Sequence, residues 1–302
     1  MASGANPVKA VLYALGANFA IAVSKYIAAF ITGSGSMLAE AVHSTADCGN
    51  QVLLLLGLKR AKRPPTPDYP LGYGKETYFW SFIVAIMLFS VGGLFSVYEG
   101  WHKLHEPEEL SYPLLALGVL LFGIVAESFS MWGCLQEVNK ARGNQNLWQW
   151  FRSSRNAELV VIFGEDLAAL LGLTLAFIAV GVAWITGNVM WDALGSIAIG
   201  VLLIVVAVLV GVEVKALLVG QGVEADVKRD MVQFLESQPT VAKVMNVLTL
   251  HMGADVLVAV KAQMKEQGGQ AELIAAINAA EKAFRERFPQ VQWVFFEPDV
   301  AD

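Results

Sequence analysis

Long apolar runs separated by short polar breaks fill the first two thirds of the chain, and beyond about residue 220 they give way to shorter, alternating stretches. The runs predict helices over Lys9 to Thr32, Ser36 to Leu58, Thr77 to Trp101, Pro113 to Gln136, Ala157 to Trp184 and Val189 to Val219. Each is roughly 20 residues or longer, enough to cross a hydrocarbon core. Turn chemistry marks the breaks. Gly33 to Gly35 returns the chain from the first helix into the second, prolines from Pro64 onward stop the second, and Thr186-Gly187-Asn188 ends the fifth. Asp192, just past that turn, reads as a cap of the sixth helix rather than an ion ligand.

In the last third a helix over Ala225 to Ser237 stops near Pro239. Val244 to Met252, then Gly253-Ala254-Asp255, then Val256 to Met264 reads as a β-hairpin, because Val256, Val258, Val260, Ala262 and Met264 share one face. A second helix over Gln270 to Arg287 carries Leu273, Ile277, Ala280, Phe284 and Phe288 at helical steps, and Val291, Trp293 and Phe295 close with a third strand. The order αββαβ predicts a ferredoxin-like α/β domain with its helices on one side of a sheet. The expected division is a six-helix membrane domain over 1–219 and a cytosolic domain over 220–302.

Composition supports this reading. With 56% hydrophobic and 16% charged residues in 302, and mean hydropathy +0.53, the chain is too apolar for a soluble domain. The net charge of -6 names no partner, and no basic cluster with interleaved aromatics points to nucleic acid. Cys48 and Cys134 fall within predicted spans, where they read as small apolar residues. Without an HExxH, a nucleotide-binding glycine loop or a nucleophile elbow, neither an enzyme nor a prosthetic group is expected.

Loop charge sets the topology. The 2–3 loop carries Lys59, Arg60, Lys62 and Arg63, and the 4–5 segment carries Lys140, Arg142, Arg152 and Arg155. The 3–4 loop is mostly acidic. By the positive-inside rule the basic loops, both termini and the last third are cytoplasmic. The first apolar run is longer than a signal-peptide core and reads as a membrane helix, and the short chain without a targeting extension fits a bacterial inner membrane.

Charge also appears where it is costly. Glu40, His43, Asp47, Asn50 and Gln51 interrupt the second helix, Glu127 the fourth, and Glu165 and Asp166 the fifth. An ionisable group at mid-membrane costs about 2.5 to 3.5 kcal/mol even on insertion scales, so such groups face the bundle interior or a water-filled path. His43 and Asp47 are four apart, on one helical face with Asn50 a turn further on. They read as a polar packing pair or as metal ligands, since imidazole and carboxylate suit zinc and its neighbours. Asp166, directed at that stripe, would add a third ligand. Glu165, about 100° around the helix, would then reach sideways or carry protons. Glu127 lines an ion path or caps a polar helix contact, Glu40 takes an access-path role or an interfacial position, and Asn18 is a candidate helix contact. Lys25, in the first helix, cannot alone neutralise three carboxylates. His102 and His105 flank an outer loop and read as solvated, and His251 lies on a strand.

Six spans, HSTAD in the second helix, the loop PDYPLGYGKE, a mid-membrane Asp in the fifth helix and an αββαβ tail ending WVFFEPD together resemble the cation diffusion facilitator family of metal transporters. The similarity covers essentially the whole chain. Through AEAVHSTADCGNQ, EDLAALLG and ITGNVMWDALGSIAIG it is greatest to the branch containing the ninth human zinc transporter. The resemblance implies a homodimer in the lipid bilayer that exports a divalent metal, Zn2+ above all, against inward proton flow by alternating access. It implies His43 and Asp47 as ligands, with Asp166 as the second member of a His-x-x-x-Asp pair. Ile162 stands in the first member's place, so Glu165, Asn50 or water would complete the site, and Mn2+, Co2+ or Fe2+ becomes an alternative cargo. The histidines of the family's 2–3 loop are replaced by Leu71, Tyr73 and Lys75, so no loop zinc site is expected. A passive cation channel and a metal-sensing membrane scaffold are the rival classes.

Overall fold

The computed structural model describes residues 6–32, 35–106, 112–266 and 268–301, without the side chains of 32, 35–40, 42, 43 and 46. It divides into two compact units, Met1–Lys59 with Thr77–Lys215, and Arg60–Glu76 with Ala216–Asp302.

The first unit is helical: α1 (Pro7–Thr32), α2 (Gly35–Ala61), α3 (Glu76–Met87), α4 (Phe95–His105), α5 (Pro113–Arg142), α6 (Leu147–Ser153), α7 (Ala157–Thr186) and α8 (Met190–Val219). A π-helical stretch, Leu88–Leu94, joins α3 to α4, so the two form one continuous helix of 30 residues. Five helices among the described residues are long and apolar enough to cross a membrane: Pro7–Ile31, Glu76–His105, Pro113–Arg142, Ala157–Thr186 and Met190–Val219. The protein is therefore a multi-pass membrane protein. α2 has a span's length at 27 residues but is far less apolar, because its polar side chains turn into the bundle, where Asn50 and Gln51 are buried.

Helices α1, α5 and α7 pack on one another. Small residues permit the closest approaches, as expected where lipid offers no hydrophobic drive and contact itself must hold helices together. Gly133 of α5 faces the Tyr13 ring, Gly164 of α7 faces Val210 of α8, and Gly100 of α4 lies against the backbone of α8 at Ala193 and Ile197.

Three local features differ from expectation. The basic 4–5 segment contains α6, opened by a capping box between Asn146 and Gln149 and held by an ion pair from Arg152 to Glu213 of α8. The third and fourth spans run on to His105 and Arg142, past Trp101 and Gln136. Asp192 is not the cap of the sixth span. The Asn188 side chain accepts from the Met190 amide instead, and Asp192 pairs with Lys103 at 3.2 Å. Asparagine at the turn has the shorter reach to the free amide, which leaves the carboxylate for a cation on α4.

In the second unit, α9 (Ala225–Glu236), β1 (Val241–Met252), β2 (Asp255–Met264), α10 (Gln270–Arg287) and β3 (Val291–Pro298) have the expected αββαβ order. The strand order is β1-β2-β3, with β1 and β2 antiparallel and β2 and β3 parallel. Val256, Val258, Val260 and Ala262 form one core with Met231 and Leu235 of α9 and Phe284 of α10. The hairpin turns at Gly253, whose φ of +79° disfavours any side chain. The 60–76 segment packs onto that turn, where a Cβ on Gly253 would lie 2.6 Å from the Gly74 carbonyl oxygen.

Candidate functional site

The buried charges collect among α1, α2, α5 and α7. Glu165 and Asp166 follow one another on α7 and leave it in different directions, as the 100° step requires. Glu165 faces α2, and its Oε1 accepts a hydrogen bond from Asn50 Nδ2 at 3.0 Å. Asp166 faces α5, where the Ser130 hydroxyl donates to its Oδ2 at 2.9 Å. Both carboxylates are buried, Glu165 6% and Asp166 1% exposed.

Two more acids belong to the same cluster. Asp47, one turn before Asn50 on α2, and Glu127, one turn before Ser130 on α5, lie close enough to act electrostatically on Glu165. Glu127 also acts on Asp166, and Lys25 of α1 acts on Glu127. Four carboxylates from three helices thus share one interior region with one lysine. Several of their atoms lack a protein partner: Glu165 Oε2, Glu127 Oε2 and Asn50 Oδ1 are buried and make no hydrogen bond. A buried polar atom left unpaired costs about 1 to 3 kcal/mol, so an interior with several of them is built to receive something that pairs with them.

Among the described residues, no three His, Cys, Asp or Glu side chains lie close enough together to hold a metal ion. The side chains of His43 and Glu40 are outside the described residues, although both positions fall within α2. Of the remaining site residues, Asn50 and Glu165 are brought into direct contact, Asp47 and Glu127 stand beside them, and Asp166 points to Ser130. Asn18 is buried in α1, and Cys48 and Cys134 are free thiols. Sequence reasoning assigned no role to Ser130 or Gln51. Ser130 stands three residues from Glu127 in an apolar run, and that spacing on one face is the signal that identifies it.

A family model of the cation efflux transmembrane domain matches residues 11–219. The chain belongs to the cation efflux family. It is 34% identical over 250 residues to the mitochondrial proton-coupled zinc antiporter SLC30A9 of Xenopus laevis, covering 82% of this chain and 44% of that protein. Against the human protein of the same name identity is 33% over 253 residues, with the same coverage. Metal tolerance protein C4 of Arabidopsis thaliana is 30% identical over 235 residues, 77% of this chain and 51% of its own length. The chain therefore spans about half the length of these relatives. Their similarity bears out the family and branch that the motifs resemble.

Proposed function

We propose that the protein is a secondary transporter, not an enzyme, which exports Zn2+ from the cytoplasm in exchange for protons by alternating access. One observation carries this reading: carboxylates of α2, α5 and α7 meet inside a membrane bundle with oxygens of Glu165 and Glu127 unpaired. Family membership and the relatives named as proton-coupled zinc antiporters support it. The cargo site is assigned to His43, Asp47, Glu165 and Asp166, with Asn50, Glu40 and Glu127 along the path. Asn50 and Ser130 hold the two α7 carboxylates between cargoes, and an arriving cation replaces those hydrogen bonds.

Exchange follows from competition. A metal needs the imidazole neutral and the carboxylates ionised, so cation entry expels protons and proton entry expels the cation. Protonated on one side of the membrane and loaded with metal on the other, the site converts a proton gradient into export. The protein needs no prosthetic group and has no nucleic-acid partner in this reading.

The second unit is assigned to the cytoplasm, where it joins two copies into a homodimer. The open face of its sheet supports that role, with Leu248 and Phe295 61% and 58% exposed in register across Ala259. The basic 2–3 and 4–5 loops support a cytoplasmic orientation in a bacterial inner membrane, although relatives are named as mitochondrial.

The test is Zn2+ uptake into proteoliposomes with internal pH recorded alongside. Coupled, opposite movement of Zn2+ and protons is expected, abolished by Asp47→Ala, Glu165→Ala or Asp166→Ala. Flux without proton movement would establish a channel, binding without flux a sensor, and wild-type rates in Asp166→Ala would remove that residue from the site.

A further inference from the structure

A second polar feature lies between the acidic cluster and the end of the bundle that carries the basic loops. Glu158, in the first turn of α7, is buried at 8% exposure, and the Thr77 hydroxyl at the start of α3 hydrogen-bonds its carboxylate. Glu158 and Glu165 are seven residues apart, hence on one face of α7, separated by about 10 Å along its axis. The third and fifth spans run in the same direction, and the contact between Thr77 and Glu158 aligns their starts. Ser81, four residues beyond Thr77 on the same face of α3, therefore lies about 6 Å deeper, between the levels of the two glutamates.

Ser81 is fully buried and its hydroxyl has no protein partner. This is not the habit of serines in this bundle. Ser90, Ser96 and Ser128 each donate to the carbonyl four residues earlier. The Ser81 hydroxyl makes no such bond. Gln51 of α2 continues the pattern. It is fully buried, its side-chain amide is directed at the Glu165 carboxylate, and its amide oxygen has no partner. A packing role explains none of these orphaned groups, because an apolar residue of similar size would fill the same space without the desolvation cost.

The geometry points to a proton path, distinct from the cargo site, in which Glu158 is the terminal proton carrier and Ser81 and Gln51 order the hydrogen-bonded chain leading to Glu165. It rests on the antiport reading above. A proton released from the cluster passes along water molecules that Ser81 and Gln51 hydrogen-bond, one O–H bond breaking as the next forms, and resides on the Glu158 carboxylate before leaving to the aqueous phase at the start of α7. Protons would then use this route while the metal takes another.

The experiment uses the full chain in proteoliposomes, with Zn2+ as the probe, a pH-sensitive dye inside, and equilibrium Zn2+ binding measured in detergent. Glu158→Gln keeps the acceptor for Thr77 but cannot carry a proton. It is expected to bind Zn2+ as wild type does and to slow proton-coupled exchange at least about a hundredfold, the low side of what a positioned proton-transfer group contributes. Glu158→Asp, still protonatable, is expected to retain most of the rate. Ser81→Ala removes only an unbonded hydroxyl, so slower exchange with undiminished thermal stability supports the path independently of how Glu158 variants fold. Wild-type exchange in Glu158→Gln, or equal slowing in the Asp and Gln variants, overturns the inference while the antiport reading stands. A wild-type protein that carries Zn2+ without moving protons overturns both.

Discussion

Replacing Gly100 by alanine is a sharp test of how this bundle is held together. In α4 an added Cβ would lie 2.8 Å from the Ala193 carbonyl oxygen, 2.8 Å from the Ile197 amide nitrogen and 2.8 Å from Ile197 Cγ1. Two of those three atoms belong to the backbone of α8 and cannot rotate away. The two helices must part by several tenths of an ångström, and overpacking of this kind costs about 1 to 3 kcal/mol. Alanine also favours helix over glycine by about 1 kcal/mol, which partly hides the clash. Gly118→Ala in α5 supplies the control, since nothing lies within 4 Å of its Cβ position and only the propensity gain remains. The difference between the two variants isolates the clash. At about 2 to 4 °C per kcal/mol for a unit of this size, Gly100→Ala should melt some 2 to 12 °C below Gly118→Ala in detergent. Equal melting temperatures would refute the close approach of α4 and α8.

Phe284→Ala should remove a fully buried ring that meets Phe288, tilted by 46°, at 4.9 Å and Phe234 at 6.2 Å. The cost of about 3 to 5 kcal/mol is comparable to the whole stability of a small domain, so limited proteolysis should cut within residues 225–298 while the membrane helices survive. Partial desolvation at the hairpin turn raises the carboxyl pKa of Asp255, although the residue is exposed. A raised carboxylate pKa means that the charged form opposes folding, and the penalty disappears as pH falls through the raised value. Asp255→Asn should therefore slow amide exchange in β1 and β2 at neutral pH and lose that advantage below about pH 4, the ordinary aspartate range.

How much of this was readable beforehand depends on the range of the physics involved. Hydrophobicity and turn chemistry act over a few residues, so the long apolar helices, the αββαβ order and the alternating face of β2 all follow from local pattern. α6 leaves a readable mark in the N-x-x-Q spacing of Asn146 and Gln149, although the charge of the segment suggests a loop. The presence of acids within membrane helices was equally plain, because each is costly wherever it lies in a bilayer.

Their directions were not. Glu165 and Asp166 are neighbours in sequence, and the rotation of α7 decides which of them meets α2. That rotation depends on Gly164 lying against Val210 of α8 and on the packing of α1, α5 and α7 around it. It turns Glu165 toward Asn50 and Asp166 toward Ser130, whereas the linear pattern favoured Asp166 as the partner of α2. The burial of Glu158, Ser81 and Gln51 belongs to the same class of fact. They come from three helices, and only long-range packing removes all three from solvent.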